Sequence, residues 1–388
     1  MLDLTLQIVL WGSITLLLHT LVLYPLSLRL LPRKYDLDPP EQPDNELPSV
    51  ALLIAAYNES LVIARKIGNS FAQDYPQEKL EIIVGSDGST DGTDEIVKSF
   101  VDPRLRLVRL DGRNGKPLVL NRLVAETQAE IVVITDADVE LDSQILRKMC
   151  RHFADPRIGV VSCGWYIMPV TDAVFGGEGE QYAAHINVTK ALESQVGGVS
   201  GGTGMCLAIR HSLYQPFAPG SANDDTTPML WAVLAGMHAV WDPNAKAYEH
   251  ASRSFREEFR RRIRIGAGNF QTLARYWRVL LPRYGIAAYT FTSHKAIRWT
   301  MPFLMIAILV TSLVLAENST LYRGVLVVQL IGYAIAALGA LLVAFRIKLP
   351  PVTSLFHFVA MNAALFLGFF RYLKQGDRKF VWEPTART

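Results

Sequence analysis

The sequence predicts an α/β fold, a mostly parallel sheet with helices on both faces, joined to membrane-spanning helices. Three observations predict it. Between residues 49 and 250, short β-branched apolar runs alternate with helix-length stretches, the pattern of successive βα units. The run Ile131-Val132-Val133-Ile134 has no polar position, as expected of a strand buried on both faces. Long apolar segments flank this region, one before it and three after. The totals agree: of 388 residues, 50% are hydrophobic and 19% charged, a mixture that suits a soluble domain tied to membrane segments. The formal charge of +3 argues against a nucleic-acid footprint. Cys150, Cys163 and Cys206 show no CxxC spacing and read as reduced structural thiols.

In chain order, Leu4 to Leu28 carries no charged residue, and Arg29, Arg33 and Lys34 follow. Residues 4–31 are therefore expected to span a bilayer, with the N-terminus outside and the following domain cytoplasmic. No basic residue precedes the run and no small-residue cleavage site follows it, so a span is expected rather than a cleaved leader. Residues 32–48, with five prolines, read as an extended linker. The cytoplasmic domain is expected over 49–253. Strands fit 49–55, 81–85, 105–109, 131–135, 158–162, 203–209, 238–241 and 245–249. Helices fit 60–72, 92–100, 116–128, 142–153, 174–195 and 226–236. Residues 254–281 begin as a basic amphipathic helix with Phe255, Phe259 and Ile263 every fourth position. Such a helix is expected on the inner leaflet; packing against the sheet domain is the alternative.

Apolar stretches at 297–316, 324–345 and 352–370 precede a basic tail, 371–388, with Arg371, Lys374, Arg378 and Lys379. A spanning third stretch would put that tail outside, against the positive-inside trend. The sequence leaves two resolutions: a re-entrant 352–370, or an extra crossing from 282–298.

The chemistry-bearing residues gather at strand ends. Ile131–Ile134 runs into Thr135-Asp136-Ala137-Asp138, and ligands of open α/β sheets bind beyond the carboxyl ends of strands. Two hard oxygen donors suit Mg²⁺ or Mn²⁺ completed by substrate phosphates, while a turn with a helix cap is the plainer reading. The strand at 49–55 leads into Ala56-Tyr57-Asn58-Glu59, and the next into Ser86-Asp87-Gly88-Ser89. Asp87 there can accept from a base N–H, or belong to an ordinary turn. Lys116, in Asn114-Gly115-Lys116-Pro117, precedes a helix N-terminus, a good place for an anion. Asp224-Asp225 stands ahead of the helix at 226–236. One carboxylate suffices for capping, which leaves the other for general-base work.

In order, Ile-Ala-Ala-Tyr-Asn-Glu (54–59), Ser-Asp-Gly-Ser (86–89), Asn-Gly-Lys-Pro-Leu (114–118), Asp-Ala-Asp (136–138), Gly-Thr-Gly-Met (202–205) and Asp224-Asp225 resemble the inverting family 2 glycosyltransferases. The membrane-bound branch is the nearest: cellulose, chitin-oligosaccharide, hyaluronan and poly-N-acetylglucosamine synthases and ceramide glucosyltransferases. The resemblance covers about residues 48–270 and implies a nucleotide-sugar-binding, Rossmann-like domain of GT-A type. It implies that Ala56, Tyr57, Glu59 and Asp87 hold uracil and ribose, with Lys116 near the nucleotide. Asp136 and Asp138 would reach the sugar nucleotide and its metal. Asp225 would deprotonate the acceptor hydroxyl, with Asp224 standing where the family's pair has Glu.

One motif departs. Processive members carry Gln-x-x-Arg-Trp on the interface helix, whereas this chain has Arg261-Arg262-Ile263-Arg264-Ile265. Arg264 keeps the diphosphate-contacting Arg, Arg261 replaces the Gln, and Ile265 cannot stack as Trp does. Trp165, Trp277 and Trp382 are the candidates for the missing ring. The expectation is thus an integral, multi-pass protein of a plasma or inner membrane. It transfers sugar from a UDP-sugar to a glycan or lipid acceptor with Mg²⁺ or Mn²⁺. About four spans is few for a polymer channel, which leans toward a lipid acceptor, a short product or a partner subunit. The alternative is a non-catalytic subunit of a polysaccharide synthesis or export complex, against which the intact Asp87, Asp136, Asp138 and Asp225 argue.

Overall fold

The structure, a computed structural model, describes residues 2–168, 176–250, 255–345, 347 and 349–375. Arg378, Lys379 and Trp382 lie outside them. In chain order, α1 (Leu2–Leu18) and α2 (Tyr24–Leu30) flank a π-helical turn. The sheet region follows with β1 (Val50–Ala56), α3 (Ile63–Phe71), β2 (Leu80–Asp87), α4 (Thr93–Ser99), β3 (Leu105–Leu110), α5 (Lys116–Ala125) and β4 (Ile131–Asp136). It continues with β5 (Glu140–Leu141), α6 (Ile145–Cys150), β6 (Ile158–Met168), α7 (Gly176–Val196), β7 (Cys206–Arg210), α8 (Thr227–Leu234) and β8 (His238–His250). Then come α9 (Phe255–Arg275), α10 (Gly285–Phe291), α11 (Ile297–Leu315), α12 (Thr320–Ala344) and α13 (Pro350–Gln375).

The chain divides into two compact units. The first, Leu31–Ala251 with Arg275–Phe291, holds one eight-stranded sheet in the order β3-β2-β1-β4-β7-β6-β8-β5. Every residue of β1 is buried, because successive side chains feed opposite faces. Leu52 and Ile54 join Ile63 and Ile67 of α3, Val97 of α4 and Met149 of α6 in one core. Ala51 and Leu53 join Val119 and Leu123 of α5 and Trp231 of α8 in the other. Helices therefore cover both faces, as the continuous apolar runs require.

The sheet is mixed, with β7 and β5 reversed against six strands that share one direction. β3, β2, β1 and β4 run parallel, but β7 is antiparallel to β4 and β6. The cause is where the chain re-enters: Cys206 pairs with Thr135, so the glycine-rich stretch 197–205 returns at the carboxyl end of β4 and β7 must run backwards. The two strands expected at 238–241 and 245–249 are one strand, with Pro243 absorbed by a register shift opposite Cys163 and Gly164. A ladder-breaking proline is tolerated at such a bulge. Because β1 lies between β2 and β4, the strand order reverses there. That reversal is the crevice where open α/β sheets bind ligands.

The second unit comprises residues 1–30, 252–274 and 292–376. Leu10 of α1 packs with Ile308 and Leu315 of α11, and Thr20 Oγ1 donates to the Ser293 carbonyl at 2.6 Å. Phe255 and Phe270 of α9 pack against Phe356 and Phe369 of α13, the first pair tilted and the second edge-on. A Cβ at Gly368 would lie 2.8 Å from the Ile263 carbonyl oxygen, so the α9–α13 approach needs a glycine there. The apolar stripe of α9 thus packs on α13. Among the described residues four helices, over Asp3–Leu30, Pro282–Leu315, Thr320–Ala344 and Pro350–Lys374, are long and apolar enough to cross a membrane. Segment 282–298 is continuous with the helix that follows it.

Candidate active site

At the switch point Ala55 pairs with Asp136, so the loops after β1, β2 and β4 open on one edge. Asp136 closes β4 with its carboxylate about one-third exposed, and Asp138 is half-buried. Neither caps a helix: α6 begins only at Ile145 and has no side-chain cap. Lys116, the first residue of α5, places its ammonium 2.5 Å from Asp136 Oδ1 and 2.5 Å from Asp224 Oδ2. The two acidic motifs, far apart in sequence, are thereby joined by one cation. Burial disfavours the Lys116 charge, but the two carboxylates outweigh it and hold its pKa above the usual lysine value. Burial, then the Asp136 charge, raises the Asp138 carboxyl, while Lys116 and Lys66 pull the other way.

Asp224 and Asp225 do not cap α8, which has no side-chain cap. Asp225 Oδ1 accepts from the Thr226 amide at 2.7 Å. A Cβ on Gly202 would come 2.7 Å from the Asp225 carbonyl oxygen, and one on Gly204 3.7 Å from Asp136 Oδ2. The Gly202-Thr203-Gly204 stretch thus lies beside both acidic motifs, and a side chain at Gly202 would crowd the second.

Asp87 is fully enclosed. Its Oδ1 accepts from the Asn114 amide at 2.7 Å and its Oδ2 from the Gly115 amide at 2.9 Å. These bonds tie Asp87 to the 111–115 loop, whose Arg113 Nε also lies 3.8 Å from Oδ2. Gly88 sits at φ +71°, with its would-be Cβ 2.5 Å from the Gly112 carbonyl oxygen, so the two loops touch through backbone. Tyr57 is half-buried under the Arg113 guanidinium, 3.2 Å above its ring centre. Ala56 and Glu59 are buried, and the Glu59 amide donates to Thr93 Oγ1 at 2.9 Å.

Arg261 and Arg264 stand on α9 in the other unit, where Arg261 lies 4.0 Å from Glu258. Of the candidate rings, Trp165 donates from Nε1 to Glu249 at 2.9 Å and Trp277 is half exposed.

Two residues escape a reading by motif. Arg113, between two glycines of the 112–115 loop, is one. The other is Lys66, only 2% exposed, which donates to Thr135 Oγ1 at 2.9 Å and to the Val139 carbonyl at 2.8 Å. Burial lowers its pKa to about 8, with nearby thiols and the two carboxylates Asp136 and Asp138 opposing. The sequence does contain the signal: Lys66 shares the inward stripe of Ile63, Ile67 and Ser70, where a charge is out of place.

The donor chemistry fits a divalent cation of the Mg²⁺ or Mn²⁺ kind. Asp136 and Asp138 supply hard oxygens, and among the described residues no third Asp, Glu, His or Cys joins them in a closed cage. That is the ligand set of ions that keep waters and substrate phosphates.

The class of fold is that of GT-A glycosyltransferases. A mannosyltransferase from Pyrobaculum calidifontis, solved in complex with GDP-Man and Mn²⁺, matches 96% of this chain and 97% of its own at a TM-score of 0.70 and 22% identity. Residues 51–215 match the family model Glycosyl transferase family 2. Beta-monoglucosyldiacylglycerol synthase of a Synechocystis species is 35% identical over 118 residues, 29% of this chain and 25% of that protein. Poly-beta-1,6-N-acetyl-D-glucosamine synthase of Staphylococcus aureus is 25% identical over 236 residues, 60% of this chain and 57% of that protein. The matched stretches span between a quarter and just over half of these relatives.

Proposed function

We propose that this chain is an integral-membrane, metal-dependent, inverting glycosyltransferase whose catalytic domain faces the cytoplasm. Its donor is a nucleotide sugar, a UDP-sugar in this reading, and its acceptor a membrane lipid or a glycan. The observation that carries the proposal is that Lys116 joins Asp136, at the switch point, to Asp224, which brings the Asp136–Asp138 and Asp224–Asp225 motifs together. The relatives are named for both acceptor classes, a glycolipid and a polysaccharide.

Tyr57 and the loop that Asp87 organises receive the nucleoside, with Ala56 and Glu59 enclosed beneath. Asp136 and Asp138 hold the cation, which supplies Lewis-acid stabilisation of the departing diphosphate. Lys116 adds a fixed positive charge next to that diphosphate. Asp225 takes the proton of the acceptor hydroxyl. The hydroxyl oxygen then bonds to the anomeric carbon as the bond from that carbon to the diphosphate oxygen breaks, inverting the configuration. Arg264 keeps the family's diphosphate-contacting identity.

The test is nucleoside diphosphate release by the purified protein in lipid with Mg²⁺ or Mn²⁺. It is run across UDP- and GDP-sugars beside Asp138→Ala and Asp225→Asn. Turnover with one donor, lost in both variants, is expected. A protein that neither turns over nor binds any nucleotide in a metal-dependent way overturns the reading.

A further inference from the structure

Lys66 is a buried cation that the proposed reaction does not use. One ammonium is bonded to two points that bracket the acidic motif, Thr135 Oγ1 just before Asp136 and the Val139 carbonyl just after Asp138. Thr135 passes the restraint on, donating from the same hydroxyl to the Met205 carbonyl at 2.7 Å. Met205 follows Gly204, the residue beside Asp136. The bend that presents both carboxylates is therefore held at each end by a side chain reaching up from α3, and the glycine stretch beside it is held through Thr135. Among the described residues no carboxylate forms an ion pair with Lys66, and the Val139–Asp136 backbone contact that would close the bend by itself is long, at 3.5 Å. The ammonium is a short link across the bend.

We infer that Lys66 is a positioning residue for the metal-binding carboxylates: it clamps the Thr135–Val139 bend so that Asp136 and Asp138 present their oxygens to one divalent cation. The inference rests on the proposed metal-dependent reading of this site. Hydrogen-bonding partners behind metal ligands fix ligand orientation, and their loss typically lowers metal affinity about 10- to 100-fold.

The experiment is Mn²⁺ titration of the purified full-length protein, followed by the electron paramagnetic resonance signal of free Mn²⁺, with saturating UDP or GDP as the added nucleotide. Wild type is compared with Lys66→Met, and thermal unfolding is recorded alongside. Lys66→Met keeps the length of the side chain and removes a charge that burial disfavours, so its unfolding midpoint is expected to stay near that of wild type while Mn²⁺ affinity falls by about 10-fold or more. Thr135→Val removes one anchor without changing shape and should lower affinity in the same direction by less. It carries the test by itself if Lys66→Met does not fold. Wild-type affinity in the variants, with or without a lower unfolding midpoint, overturns the inference and leaves Lys66 a structural residue. Tighter Mn²⁺ binding in Lys66→Met also overturns it, because the lysine would then act by repelling the metal. Failure of the wild-type protein to bind Mn²⁺ with either nucleotide overturns the metal reading itself, and this inference with it.

Discussion

The Lys116 ammonium lies 2.5 Å from Asp224, a partner more than a hundred residues away, while it holds Asp136 at the same distance. The two acidic motifs thus share one counter-cation. Lys116→Met would leave those carboxylates facing each other without it. Breaking a buried pair by removing one partner costs about 3 kcal/mol or more, and the low end is expected here because Asp136 and Asp224 both retain some solvent. The measurement is the thermal unfolding midpoint, with and without Mn²⁺. A lower midpoint that Mn²⁺ partly restores is the expected result, since a divalent ion can take over the neutralising role.

The two aspartates ahead of α8 should separate kinetically. Asp224 is committed to Lys116, whereas Asp225 contacts the neighbouring Thr226 amide and is the proposed base. Asp225→Asn is expected to lower kcat by about 10²- to 10⁴-fold, the usual contribution of a positioned base, with nucleotide affinity unchanged. Asp224→Asn frees Lys116 from one partner and should act chiefly on donor affinity. Comparing kcat with donor Kd, measured by nucleotide titration, distinguishes them.

Much of this site can be read from the sequence because strand ends announce themselves. Ile131–Ile134 has the unbroken apolar character of a doubly buried strand, and the carboxylates after it must then stand at the sheet edge. The direction of a side chain leaves no such trace. Asp87 is legible as a carboxylate at a strand end, but not its bonds from the Asn114 and Gly115 amides, a contact between loops that no local pattern encodes. The antiparallel β7 is similarly hidden, because its hydrophobic pattern, Cys206-Leu207-Ala208-Ile209, is the same in either direction. The two-residue β5 is too short to carry a period. Lys66 shows only as a charge on the wrong stripe of α3.

The three thiols give a pH-based prediction. Burial pushes Cys150 and Cys206 up to about 12 and Cys163 well above the usual thiol value, and all three are enclosed. At about pH 8 the thiolate, which is the reactive form, would be only about 10⁻⁴ of each 12-range group. Native protein should therefore show almost no reaction with a thiol reagent, and denatured protein should titrate all three. Rapid labelling of native protein would mean that these cores open easily.

Gly88 and Gly92 provide a controlled pair for the contact between the loops after β2 and β3. Both have positive φ, +71° and +92°, but only Gly88 faces a backbone oxygen, that of Gly112, at 2.5 Å from its would-be Cβ; Gly92 has open space. Alanine at Gly92 should cost only the left-handed backbone penalty, about 1–2 kcal/mol. Alanine at Gly88 bears the same penalty and must also push the 111–115 loop away, because a backbone atom cannot rotate aside as a side chain does. That displacement pulls the Asn114 and Gly115 amides from Asp87, and a buried carboxylate left short of donors costs about 1–3 kcal/mol more. Gly88→Ala should therefore unfold at a clearly lower temperature than Gly92→Ala. It should also weaken nucleotide binding, which Gly92→Ala should leave intact. Equal losses in both variants would show that the loop contact contributes nothing beyond the backbone angle.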